Sequence, residues 1–370
     1  MVLVLLAPRV GDRRSGQSRF ICNLAVGLRA AGDEVVVTCL RIDPAVKDHL
    51  LSQRVRVVEG TGRLSSARLD LASVTMDTGP ARTLASLAAR VAGDSIKVIL
   101  ADEGLQCARY LPGHDTCLLS QGDMALLYLR PEFYKQQLFL RGLLSTQSAG
   151  MIVANGRAAA RCRIRLANSE FTRSLMSFLY GLPFEGVVYP PVDTDYFSIG
   201  SAPHSEPYLL YLGRGSGEQG TRVLEKIGKA TTLKVVGGAR VVGATNLGIV
   251  SDEELRELYR GAAALLAPSV SEQFGYAIAE AAACGTPSVA YRACGPGEQI
   301  RDGITGWLAD STDSFIRLAL NAMAPRSECN DRQTIRAAAL RFSIPTSVKS
   351  LQDHLKSISP GVKSDGYTSS

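Results

Sequence analysis

Residues 2–7, Val2-Leu3-Val4-Leu5-Leu6-Ala7, form an unbroken apolar run. A strand without polar alternation is buried on both faces, and such strands belong in parallel sheets covered by helices on either side. The next residues fit that demand. A Gly-containing loop, Gly11 to Gly16, leads into a segment with Ile21, Leu24, Ala25 and Leu28 at helical spacing, closed by Gly32. Glu34–Cys39, Val55–Val58, Lys97–Leu100 and Thr116–Ser120 read as further strands, and helices are expected over 80–94 and 134–149. The alternation predicts an α/β chain built on a doubly wound parallel sheet.

The pattern then restarts. A Ser-, Pro- and Gly-rich stretch at 198–207 marks a boundary, and a second strand–loop–helix unit opens at Tyr208–Leu212. Leu233–Val236 and Ala263–Ala267 continue that sheet, and Ser251 with Glu254 forms a capping box ahead of a helix over 252–262. Two Rossmann-like domains are expected, 1–200 and 205–344, with a last helix over 345–358 and a disordered Ser-rich tail over 359–370.

Composition narrows the function classes. A hydrophobic content of 46% supports two cores, and a net charge of +6 is too modest to imply nucleic-acid binding, for which no motif is visible. No apolar run is long enough to span a membrane, and Met1 leads directly into the first strand without a charged leader, so a cytoplasmic protein is expected. The eight cysteines are scattered without a Cys-x-x-Cys pair, and there are only four histidines, so no metal site is expected and the thiols read as reduced and buried.

The chemistry concentrates in Pro268-Ser269-Val270-Ser271-Glu272-Gln273-Phe274-Gly275-Tyr276-Ala277-Ile278-Ala279-Glu280. Glu272 precedes an apolar helical run and Glu280 lies within it, about one turn past Tyr276 on the same face. The run stops at Gly285-Thr286-Pro287. Two carboxylates are thus expected near the positive end of a helix dipole, where a diphosphate also binds, and Glu280 is expected to face the ligand cleft there. A nucleotide-sugar suits the arrangement: diphosphate on backbone N–H groups, hydroxyls on carboxylates.

Together with Cys284-Gly285-Thr286-Pro287, Gly297-Glu298-Gln299-Ile300 and Asp302-Gly303-Ile304-Thr305-Gly306, this stretch resembles the Glu-x7-Glu motif region of retaining glycosyltransferases of the GT-B fold, the family that includes bacterial lipid mannosyltransferases and sucrose synthases. The resemblance is good over residues 205–345 and weaker before. It implies two Rossmann-like domains facing a central cleft, the first for the acceptor and the second for the donor, with the last helix crossing back to the first domain. It implies transfer of a sugar, with retention, from a UDP- or GDP-linked donor to a lipid, saccharide or small-molecule acceptor, with no cofactor beyond the nucleotide-sugar and no metal.

The resemblance also assigns roles. Glu272 would meet the donor sugar near the anomeric centre and Arg214 would hold the diphosphate, the rigid guanidinium fork matching phosphate oxygens. Gly213 begins that loop, and the backbone of Phe274, Gly275 and Tyr276 would bind sugar and phosphate. Glu280 would hold the ribose. Gly16 would present backbone N–H groups from the first domain. Two positions depart from the family. Gln219 stands where the family carries a Lys, and Gln121 stands at the end of a first-domain strand where many relatives carry a His; His114 is the nearest alternative. Charge-assisted hydrogen bonds are worth about 1.5–3 kcal/mol, so losing the Lys weakens the transition state roughly 10- to 150-fold unless Arg222 or Lys226 reaches in. Gln121 can contact a sugar hydroxyl but cannot act as acid or base. These departures keep open a catalytically weak partner that binds nucleotide-sugar without turnover, and a nucleotide-sugar epimerase is a weaker third reading. The basic cluster Arg157, Arg161, Arg163, Arg165 and Arg173 and the mixed segment 128–141 are candidate peripheral membrane contacts, against a plainer reading as solvated and core-facing residues. A homo-oligomer is a further candidate.

Overall fold

The computed structural model describes residues 1–12, 15–60, 78–91, 95–100, 102–112, 115–122, 138–200, 206–213, 220–270, 272–324 and 331–356. The chain divides into two compact units, Met1–Pro191 together with the residues from Ser347 onward, and Val192–Thr346. The sequence-based expectations for 134–137 and 359–370 lie outside the described residues.

In the first unit the chain runs β1 (Val2–Leu6), β2 (Arg9–Val10), α1 (Gly16–Ala30), β3 (Glu34–Cys39), β4 (Arg41–Ile42), α2 (Pro44–Ser52), β5 (Arg56–Glu59), α3 (Thr78–Ala89), β6 (Ile96–Ile99), a 3-10 helix (Asp102–Tyr110), β7 (Thr116–Ser120), α4 (Leu138–Ala159), β8 (Ile164–Ala167), α5 (Glu170–Tyr180) and β9 (Gly186–Val187). The main sheet is parallel throughout, in the order β5-β3-β1-β6-β7-β8-β9. β1 lies inside the sheet between β3 and β6, and Leu3 to Leu6 are fully buried, as its uniform apolar sequence requires.

Three features of this unit differ from the pattern-based reading. The helix expected over 134–149 continues to Ala159 through Gly150 and Gly156. Gly156 of that helix faces α5, where a Cβ would stand in ordinary contact, 3.5 Å from Tyr180. β8 runs through the Arg-rich stretch with Ile164 and Leu166 inward, and so was hidden by its arginines. The 3-10 helix was not foreseen. Its Gln106 donates to buried Asn155 of α4 at 2.7 Å.

The second unit runs β10 (Leu209–Gly213), α6 (Thr221–Ala230), β11 (Leu233–Gly237), β12 (Thr245–Gly248), α7 (Asp252–Gly261), β13 (Ala264–Ala267), α8 (Tyr276–Ala283), β14 (Ser288–Tyr291), α9 (Cys294–Gln299), β15 (Gly306–Ala309), α10 (Thr312–Asn321), α11 (Arg332–Ala339) and the start of α12 (Ile344–Lys356). Its sheet is also parallel, in the order β12-β11-β10-β13-β14-β15. Leu209 packs into one core with Leu224, Ile227 and Phe315, and Leu210 into the opposite core with Tyr259 and Ile278. Adjacent residues thus serve opposite faces, which is why the strand has no polar positions. The capping box of Ser251 and Glu254 is present.

Residues 192–200 pack with the second unit rather than the first, in contrast to the boundary expected from composition. Phe197 lies edge-on to Tyr259 at 5.8 Å, and Arg336 donates to the carbonyls of Thr194 and Phe197 at 2.9 and 3.0 Å. From Ser347, α12 packs with the first unit: Leu351 and Leu355 are fully buried, and Gln352 donates at 2.7 Å to Asp33, which also holds the Met1 amino group. Among the described residues no helix is long and apolar enough to cross a membrane.

Candidate functional site

In the second sheet the strand order reverses between β10 and β13. Loops leaving the carboxyl ends of two such strands diverge, and ligands of doubly wound sheets bind in that crevice. The loop after β10 starts at Gly213, whose carbonyl accepts from Ala239 at 3.2 Å, and ends at Gly220. Gly220 has φ +94, and a Cβ there would stand 2.6 Å from Pro268 Cβ. Glycine is therefore required where this loop meets the one after β13. Arg214 and Gln219 lie outside the described residues. Arg222 is exposed in the first turn of α6, with Lys226 exposed one turn on.

The loop after β13 is held from beneath by α9. Gly295 N–H donates to Glu272 O at 3.0 Å, and the Cys294 thiol donates to Val270 O at 3.0 Å. A Cβ on Gly295 would stand 2.1 Å from Gln273 O, so the two backbones touch. The Gln299 amide donates to Phe274 O, and to Gly275 O at 3.3 Å. Phe274 is buried, edge-on to Tyr276 at 5.6 Å and to Phe342 at 5.2 Å. With its ring anchored, Phe274 presents backbone to the crevice. Gly275, at φ +91, is the N-cap of α8 and covers no helical N–H with a side chain. The first turn of α8 thus brings backbone donors and the positive end of a helix dipole to the switch point. Glu272 is half-buried at the entrance to this turn.

Glu280, expected to face the ligand cleft, is a buried residue. It is 2% exposed, and its carboxylate accepts a 3.0 Å hydrogen bond from the hydroxyl of fully buried Tyr259. The helical spacing was read correctly, but the face of α8 that carries Glu280 is covered by α7. The terminator after α8 is held by the same tyrosine, since Thr286 Oγ1 donates to Tyr259 O at 2.5 Å.

The motif Asp302-Gly303-Ile304-Thr305-Gly306 has a structural task. Asp302 accepts from Leu308 N–H at 2.9 Å and pairs with Arg292; Thr305 accepts from Arg301 N–H at 2.9 Å. Partial burial pushes the Asp302 carboxyl up, but the Leu308 N–H and the Arg292 guanidinium outweigh it and hold the group below the usual carboxylate range. A Cβ on Gly306 would stand 2.3 Å from Ser288 O.

In the first unit, Gly16 opens α1 rather than lying in the preceding loop, and Ser15 caps that helix by accepting from Ser18 N–H at 3.1 Å. Gln121 follows β7, and its amide nitrogen donates to Leu100 O, bracing the ends of β6 and β7. His114 and residues 128–137 lie outside the described residues. The arginine cluster is engaged structurally at three positions: Arg161 donates to Ala108 O, Arg165 pairs with Glu185 and donates to Pro183 O at 2.8 Å, and Arg173 pairs with Glu170 at 2.7 Å. Cys22, Cys39, Cys107, Cys117, Cys162 and Cys284 are buried and Cys294 is half-buried.

Two units of this strand order, each a doubly wound parallel sheet, make the GT-B fold. Anabaena HepE in complex with UDP and glucose matches over 96% of this chain and 99% of its own, with a TM-score of 0.71 at 17% identity. Sucrose-phosphate synthase from Thermosynechococcus elongatus matches over the same shares, with a TM-score of 0.72 at 16% identity. Residues 244–337, which contain the Glu272–Gly275 loop, α8, α9 and the Asp302–Gly306 turn, match the family model Glycosyl transferases group 1. Over 98 residues the chain is 40% identical to the D-inositol 3-phosphate glycosyltransferase of Mycobacterium tuberculosis H37Rv, a match that takes in 24% of this chain and 20% of that relative's length.

Proposed function

We propose that this chain is a retaining glycosyltransferase that moves a sugar from a nucleoside-diphosphate donor to an acceptor hydroxyl. The observation that carries the reading is the Glu272–Gly275 loop: it sits at the switch point of the second sheet, is held by Gly295 and Gln299, opens α8, and lies within the segment matching Glycosyl transferases group 1. The diphosphate takes the α8 N-terminus and the Arg214 guanidinium, and Glu272 meets the sugar. HepE, similar in fold, is known with UDP-glucose bound, which favours UDP over GDP for this chain.

In the proposed step the bond between the anomeric carbon and the β-phosphate oxygen breaks, and the acceptor oxygen attacks the same face. Its proton passes to the departing phosphate oxygen, so no protein base is required. Backbone N–H groups already aimed at the developing negative charge need no reorganisation as it forms. Gln219, standing where the resemblance expects a Lys, favours one other reading, a donor-binding partner without turnover.

The test is calorimetry of the purified chain against UDP, GDP and ADP, followed by incubation of the bound nucleotide's sugar conjugates with acceptor mixtures. Free nucleoside diphosphate appearing only with acceptor supports the transferase. Binding without turnover selects the partner reading, and product without acceptor selects an epimerase. Binding of no nucleotide overturns the donor site.

A further inference from the structure

Gln299 closes α9 and is 6% exposed. Its amide nitrogen serves two carbonyls, Phe274 O and Gly275 O. Two acceptors on one side fix the amide orientation, because the flipped form would set Oε1 against both carbonyl oxygens. Oε1 therefore turns the other way, and it has no hydrogen-bond partner among the described residues. Gln299 is one of the residues lining a cavity of about 10 Å³, together with Ser288, Thr305 and a mostly apolar wall that includes Ile278, Ala279 and Phe342. Ser288 is 1% exposed, and its hydroxyl also lacks a partner among the described residues. A cavity of that size is at the lower limit for one water molecule, and Gln299, Ser288 and Thr305 supply the polar groups on its wall.

The peptide bond sets what this side chain does to the loop. In a trans unit the C=O and the following N–H point in opposite directions. Drawing Phe274 O inward turns Gly275 N–H outward, and drawing Gly275 O inward turns Tyr276 N–H outward. We propose that Gln299 is a positioning residue of the donor site, which turns the Gly275 and Tyr276 amides toward the donor diphosphate while a buried water shared with Ser288 completes its own hydrogen bonds. The inference rests on the donor-site reading above. Gln299 touches no reacting atom. It acts through the loop, and its effect belongs to the phosphates and not to the nucleoside.

Binding of UDP and of uridine to wild type and Gln299→Met, each variant monitored by its melting curve, tests this. Methionine fills the same volume but donates nothing, so UDP affinity is expected to fall roughly tenfold or more while uridine affinity stays within about twofold. Unchanged UDP affinity, or an equal loss for both ligands, overturns the inference, since a merely structural role would weaken both together. Should Gln299→Met not fold, Gln299→Glu decides: its carboxylate opposes both carbonyls at about pH 8, whereas the protonated acid donates to one, so UDP affinity relative to wild type recovers toward about pH 5. A ratio that is flat with pH overturns the inference. If wild type binds neither UDP nor GDP, the donor reading falls and this inference with it. If wild type binds and both variants behave like it, only the inference falls.

Discussion

The Tyr259 hydroxyl donates to a carboxylate oxygen of Glu280 at 3.0 Å, linking α7 to α8 through two buried side chains. The pair joins the core of the second unit to the helix that opens at the candidate donor site. A glutamate expected to be a surface ligand is therefore also a core residue.

Glu280→Ala is accordingly expected to destabilise the protein, against the nearly unchanged melting temperature that a residue serving only the cleft would give. The Tyr259 hydroxyl loses its acceptor, at about 1–3 kcal/mol, and a void replaces the side chain. Glu280→Gln keeps an acceptor for Tyr259 and is expected to melt within about 1 kcal/mol of wild type. Thermal unfolding of both variants checks the structural role. Calorimetry with UDP on Glu280→Gln then reads the ribose contact without the folding penalty; affinity equal to wild type would remove Glu280 from the donor site.

Gly295→Ala should reverse the usual sign of a glycine replacement. Alanine in a helix is ordinarily more stable than glycine by about 0.5–1 kcal/mol. Here the new Cβ would stand 2.1 Å from Gln273 O, a backbone atom that moves only if the loop moves. The variant is expected to lose about 1–3 kcal/mol, within the range for overpacking, and to lose nucleotide affinity because Glu272 and Gly275 are displaced together. Stability at or above wild type would show that α9 and the loop are not in contact.

The fold was legible in the sequence because its signals are local. Val2–Leu6 and Leu209–Gly213 announce buried parallel strands by lacking polar residues, and Ser251 with Glu254 announces a helix start. What failed depended on distant partners. β8 places Ile164 and Leu166 inward, but Arg165 at its outward position, paired with Glu185, and Arg163 just before the strand made the stretch read as a basic patch. α4 continues through Gly150 and Gly156 to Ala159, and Gln106 of the 3-10 helix donates to its Asn155, a contact that no local pattern states. In the site, the Glu272–Gly275 stretch was legible as a loop opening a helix. Its support by Gln299 was not, because the contact spans 25 positions.

The thiols make stability depend on pH in the alkaline range. Burial pushes Cys39, Cys162 and Cys284 up to about 12, and Cys107 and Cys117 are pushed up as well. In the unfolded chain a cysteine ionises near ~8.5, so above that pH the unfolded state releases protons the folded state retains. Fewer bound protons in the unfolded state give a negative slope of unfolding free energy against pH. Stability is therefore fully present below about pH 8.5 and is lost progressively toward pH 12, by up to ~1.4 kcal/mol per thiol per pH unit. Chemical denaturation at a series of alkaline pH values measures the slope. Cys39, Cys162 and Cys284 each replaced by Ala should flatten it, and an unchanged slope would assign the alkaline loss to other groups.

Arg336 ties the segment that enters the second unit to the helices of that unit. From α11 its guanidinium donates to three backbone carbonyls, Thr194 O at 2.9 Å, Phe197 O at 3.0 Å and Ala283 O at 2.8 Å. The first two belong to the segment 192–200, which enters the second unit just after the crossing at Pro191, and the third belongs to the end of α8. Arg336→Leu keeps much of the apolar stem but leaves three carbonyls without this donor. Hydrogen bonds to charged groups are worth about 1.5–3 kcal/mol each, and partial access of water discounts the sum, so a loss of about 2–4 kcal/mol is expected. Arg336→Lys restores one point donor in place of a planar fork and should recover only part of that loss. Because the bonds hold the 192–200 segment, amide hydrogen exchange should quicken there and at the end of α8, while β1 and β3 of the first unit stay protected. Exchange that quickens evenly through both units would show that Arg336 contributes only to global stability and does not hold this segment in place.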